Sequence, residues 1–165
     1  MKGKLLDAAR QWELLDENGH VPAALSYTAL LQHAADAQDL ARDVLQLTAG
    51  FAESQHSSTR TGRAVLAHLA TAASMSSHAP PHFAETAENT LCLTRSSNPT
   101  DRHYLTNRMV IDHASARAFL RRTAESLRDA AKELDDHLDF QRFLSALTPR
   151  ETPAPPPPKP SGRHR

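Results

Sequence analysis

From residue 101 to residue 147 the chain contains neither proline nor glycine. These two residues end helices most readily, proline by removing a backbone donor and glycine by its conformational entropy. Over the same stretch Met109, His113, Ala116, Leu120, Ala124, Leu127, Ala131, Leu134 and Leu138 recur at steps of four and three. That spacing lays one seam along a helix, which at 1.5 Å per residue would span ~70 Å. A helix of this length excludes most mixed folds of a 165-residue chain. Composition points the same way, because 27 Ala stand against 5 Gly, and alanine is the best helix former. The sequence therefore predicts an all-α protein.

The other predicted helices are shorter. One covers about 4–17, with Leu5, Ala8, Ala9, Trp12 and Leu15 on one face and Asn18-Gly19 as its stop. Pro22 suits the first turn of the next, about 23–54, whose stripe reads Leu30, Ala34, Ala37, Leu40, Val44, Leu47 and Phe51. Its mean step near 3.5 favours packing along the helix length. Ser57 to Thr59 offers caps for a helix over about 60–76, with Val65, Leu66, Leu69, Ala72 and Ala73 inward. The residues Ala79-Pro80-Pro81 predict a break, followed by a helix over about 81–94 presenting Phe83, Ala87 and Leu91. A loop at Ser96 to Thr100 precedes the long helix, with Thr100 or Asp101 as its cap. Short loops favour antiparallel neighbours, so the expectation is an up-down bundle of four or five helices over 1–148. The last helix would either bend or outrun its partners. Residues 149–165 are proline-rich and basic, and read as a disordered tail.

Several function classes are excluded or disfavoured. Cys92 is the single cysteine, which rules out a disulfide framework and a multi-cysteine zinc site. Lys2 and Lys4 lead into Leu5-Leu6, but Asp7 and Arg10 interrupt any signal-peptide core, and no apolar run approaches membrane-spanning length. The expected location is cytoplasmic. Nineteen basic residues balance nineteen acidic ones, which disfavours a general nucleic-acid binder. There is no Gly-x-Ser-x-Gly elbow and no glycine-rich phosphate loop, and the apolar neighbours of Cys92 do not activate a thiol. No catalytic residue and no cofactor is assigned.

Ten histidines carry what chemistry remains. Glu53-x-x-His56 and Glu17-x-x-His20 have the spacing used by metal sites in helical bundles, but neither falls mid-bundle. His78-Ala-Pro-Pro-His82 has i,i+4 spacing, and the prolines are expected to deny it helical geometry. His113 lies in the seam of the last helix beside Asp112, where an imidazole needs a partner, and His33 and His68 are the groups that could meet it from other helices. A metal at these three is a minor expectation beside satisfied core histidines.

The last helix is also polarised in charge. Arg102, Arg108, Arg117, Arg121, Arg122 and Arg128 occupy its first part, and Asp129, Glu133, Asp135, Asp136 and Asp139 follow. In an antiparallel pair of such helices, the basic part of one copy meets the acidic part of the other. The leading functional expectation is a non-enzymatic interaction or scaffold protein that pairs with a second copy of itself. Leu120, Leu127, Leu134 and Leu138 would form the contact, flanked by Arg117, Arg121 and Arg128. The alternatives are a nucleic-acid-associated regulator using the arginine face, and a bundle enzyme or small-molecule binder around His113. The tail, Thr152 to Pro160, has the form of a ligand for a proline-motif-binding partner.

Overall fold

A computed structural model describes residues 26–147. They form α1 (Tyr27–Ala52), a single 3-10 turn (Gln55–Ser58), α2 (Arg60–Arg95) and α3 (Pro99–Leu147), with no strand among the described residues. The expected helix over 4–17 and the expected tail lie outside them. The all-helical class holds, with three helices rather than four or five among the described residues.

Local chemistry sets the helix starts. The Ser26 side chain accepts the Ala29 N–H at 3.3 Å, and Thr59 Oγ1 accepts the Gly62 N–H at 2.9 Å. A Cβ at position 62 would overlap the His56 carbonyl, so glycine is what lets the 3-10 turn close onto the first turn of α2. The start of α3 differs from expectation. Pro99 occupies the first helical turn, where its missing N–H costs nothing, and Asn98 Oδ1 accepts the Thr100 N–H at 3.0 Å. Arg102 then reaches back to donate to the carbonyls of Leu93 and Ser96 at 2.8 and 3.2 Å, placing a cation on the C-terminal end of α2.

The predicted break at Ala79-Pro80-Pro81 is overturned, because α2 runs through both prolines as one helix of 36 residues. Each proline removes a helical hydrogen bond, at about 3 kcal/mol in an ordinary helix interior. The surroundings outweigh that cost. Ser76, Ala79, Pro80 and Phe83 are all buried, so this turn lies within the core. Unwinding it would expose apolar surface worth about 25 cal/mol per Å² and uncover Phe83, the largest fully buried side chain. Local propensity yields to packing on two sides.

That packing has three tiers. Leu30, Ala87 and Met109 form one end. Ala37, Ala79, Phe83, Ala116 and Leu120 form the middle, and Val65, Leu69 and Ala130 the other end, with Phe51 and Leu127 against it. As α1 and α3 ascend through the tiers, α2 descends, which makes the arrangement up-down-up. α2 lies against both neighbours, whereas the α1 and α3 backbones make no close approach among the described residues. Four buried hydroxyls are satisfied within their own helices. Ser76, Thr86, Thr90 and Thr123 each donate to a carbonyl three or four residues earlier, at 2.8–3.0 Å. Leu47 and Leu91, expected inward, are instead exposed.

The last helix outruns its partners. At 49 residues it measures ~73 Å against ~54 Å for the 36 residues of α2. Thr61, at the start of α2, lies beside His137, with 3.4 Å between Oγ1 and Nδ1. Residues beyond that level extend past the end of α2.

Candidate functional site

The middle tier holds two histidine constellations, one against Phe83 and one against Phe119. In the first, His113 on α3 and His33 on α1 both set their rings nearly perpendicular to Phe83 of α2, at 5.4 and 6.0 Å between centroids. His113 is buried, and its Nε2 has no hydrogen-bond partner. Burial, reinforced by the nearby Arg117 and His33, pushes its pKa down to about 4. Burial also lowers the pKa of His33, against an opposing effect from Asp36. These two expected site residues are thus brought together, both against the ring of Phe83. His68 is not part of the group. It precedes Phe83 by fifteen positions on α2, ~22 Å along the axis, and belongs to the level of Leu69 and Ala130.

The second constellation was not anticipated. Because α2 is continuous, His78 and His82 share one face at i,i+4, contrary to the expectation that the prolines deny them helical geometry. Both rings lie against Phe119 of α3; His82 stacks on it at 5.6 Å with 11° between planes, and His78 approaches to 5.1 Å. The His82 Nδ1 atom sits 3.7 Å from Glu85 Oε2 on its own helix and 3.6 Å from Asp112 Oδ1 on α3. Asp112 is buried, and its other oxygen, Oδ2, accepts from Arg108 Nε at 3.0 Å and Asn89 Nδ2 at 3.3 Å. Arg108 also brings Nη2 within 3.5 Å of Glu85 Oε2. The sequence signals were His-x-x-Glu across residues 82–85 and Arg-x-x-x-Asp across 108–112. The first lay inside the expected helix over about 81–94 and was passed over, and Asp112 drew notice only as the neighbour of His113.

The expected interaction residues divide along α3. Leu120 is buried in the middle tier and Leu127 packs against Val65, Leu69 and Ala130, so both belong to the chain's own core and are withdrawn from the expected intermolecular contact. Leu134 and Leu138 are exposed, as are Phe140, Phe143 and Leu144. Arg121 and Arg128 are exposed, and Arg117 is half-buried near His113. Tyr104 and Ile111 are exposed too, and Ile111, two residues from buried Met109, points away from the core by the 100° helical step. By the same step, Phe140 and Phe143 face away from the seam of Leu127 and Leu134.

A surface depression of about 410 Å³ lies at the α2–α3 connection, lined by Cys92, Arg95, Ser96, Asp101, Tyr104 and Leu105. It contains no histidine and is remote from the middle tier. No helix among the described residues is long and apolar enough to cross a membrane. Comparison with protein-family models, with curated proteins and with solved structures gave no match.

Proposed function

We propose that this chain is a non-enzymatic helical interaction protein that pairs with a second copy of itself through the outer face of α3. The observation that carries the reading is the set of large apolar residues on α3 that the core leaves uncovered: Tyr104, Ile111, Phe140 and Phe143 are each more than half exposed. They lie toward the two ends of the helix with a charged stretch between them, as a self-complementary antiparallel contact requires. Setting Ile111 of one copy against Phe140 of the other brings the stretch of Arg117, Arg121 and Arg122 over that of Asp129, Glu133, Asp135 and Asp136. Charge pairing then fixes direction, and the apolar ends supply the affinity. Leu134 and Leu138, the exposed continuation of the seam, lie on the opposite side of α3 and are not part of this contact.

The nucleic-acid alternative has less support. Four cations of α3 already lie beside carboxylates: Arg108 by Asp112, Arg122 by Glu125, Lys132 by Asp136, and Arg142 by Asp139. Such pairs reduce the potential available to attract phosphates.

Sedimentation velocity on the full chain tests the proposal. A dimer is expected, and Phe140→Glu with Phe143→Glu should convert it to a monomer of unchanged helicity. In a Cys92→Ser background, Ile111→Cys with Phe140→Cys should cross-link two chains under oxidation. A wild-type chain that sediments as a monomer across the accessible concentration range would overturn the reading.

A further inference from the structure

The gap bounded by His82, Glu85 and Asp112 has the dimensions of a metal-ion site. The three candidate donor atoms, one imidazole nitrogen and two carboxylate oxygens, all lie within 4.8 Å of one another and come from two helices. A four-coordinate Zn2+ with bonds of 2.0–2.2 Å separates its ligand atoms by about 3.4 Å. The observed 3.6 and 3.7 Å from His82 Nδ1 to the two carboxylates are close to that spacing. They are also too long for hydrogen bonds. His82 Nδ1 and Glu85 Oε2 are buried atoms without a hydrogen-bond partner, although each has the other within 4 Å.

The surroundings fit the same reading. Asp112 Oδ2 takes its hydrogen bonds from Arg108 and Asn89, which leaves Oδ1 on the side of His82. Outer groups that orient a ligating carboxylate in this way accompany most metal sites. The His82 ring is fixed by stacking on Phe119, and a rigid imidazole loses little freedom on ligation. Arg108 is the competing cation. Its side chain is 48% exposed, so it can withdraw from Glu85 into water while keeping its contact to Asp112.

We propose that His82, Glu85 and Asp112 bind a divalent first-row transition ion of the Zn2+ type. Three protein ligands leave a fourth position for water. The single imidazole selects against Ca2+ and Mg2+, which take all-oxygen shells.

Thermal unfolding of the full chain with Zn2+, and with Co2+ as a spectroscopic substitute, tests the site. At about a hundredfold excess over Kd, Zn2+ should raise Tm by about 5–10 °C with one ion per chain. Co2+ should give a visible ligand-field absorption that Zn2+ displaces. His82→Gln and Glu85→Gln, both at partly exposed side chains and thus compatible with folding, should each abolish the shift and the absorption. Asp112→Asn should do the same. An unchanged Tm with Zn2+ would overturn the proposal. So would a shift that survives His82→Gln and Glu85→Gln, which would place the ion on other histidines, or an equal response to Ca2+.

Discussion

Between Met109 and Ala130, α3 buries Met109, Ala116, Leu120 and Ala130 against α2 and α1. Between Leu134 and Leu144 it carries five large apolar residues that are 37–60% exposed. The sequence pattern barely changes along the way, since leucines continue at the same spacing through both segments. What changes is the presence of a neighbour: α2 begins at Arg60, about level with His137, and past that point nothing described covers the helix. An apolar seam therefore reports that a helix can be buried, but whether the burial is internal depends on the length of the helix beside it.

Mutations should separate the two segments. The largest effect is expected from Leu120→Ala, which opens a cavity in the middle tier and should lower stability by about 2–5 kcal/mol. Leu138→Ala should cost less than about 0.5 kcal/mol in the monomer, as for an exposed site. Urea denaturation of both variants provides the comparison. Equal losses would mean that the outer segment is covered within the chain after all.

Acid should weaken the packed half through His113. Its pKa falls from 6.5 to about 4 on folding, so below 6.5 the unfolded chain binds a proton that the folded chain refuses. The stability associated with a neutral His113 is fully present above pH 6.5 and is lost as pH falls toward 4. The whole loss is at most about 3 kcal/mol. His113→Phe should flatten the pH dependence of Tm over that window, leaving the smaller contribution of His33. A slope identical to wild type would show that His113 is not the group that refuses the proton.

A smaller effect of opposite sign is expected beneath the same half. Pro81 is exposed, so Pro81→Ala restores a backbone donor to α2 without opening the core, and should stabilise by about 1 kcal/mol or more. Pro80→Ala acts at a buried ring and should gain less. If Pro81→Ala destabilises, the helix depends on the prolines in some way that packing does not explain.

Much of the fold was legible in the residues because the signals were local. The uninterrupted stretch 101–147, the Thr59 cap and the Ser96 to Thr100 connection all act within a turn or two of where they appear. Pro80-Pro81 misled for the complementary reason. Its intrinsic preference is real, but it is outweighed by the packing of nearby Phe83 against Ala37, Ala116 and Leu120, which are distant in sequence and converge only in the fold. The same error separated His78 from His82, which the continuous helix brings onto one face against Phe119. The His82 and Glu85 pair lay within the expected helix over about 81–94, and only the fold shows Asp112 beside it. His113 was found from the seam alone, and its partner across Phe83, His33, was among the named candidates. Leu120 and Leu127 were misassigned to an outer contact because a heptad pattern does not say on which side its cover lies.

The up-down-up order also bears on how the chain reaches its native state. α2 closes on α1 through a connection of a few residues pinned by Gly62, and α3 closes on α2 through Ser96, Ser97 and Asn98. Each interface forms between segments adjacent along the chain, and α3 need not find α1 across a long loop. Such a topology has low contact order, the regime in which helical domains fold in microseconds to milliseconds. The two hairpins share α2 as a common member, so whichever forms first presents a template on which the remaining helix condenses.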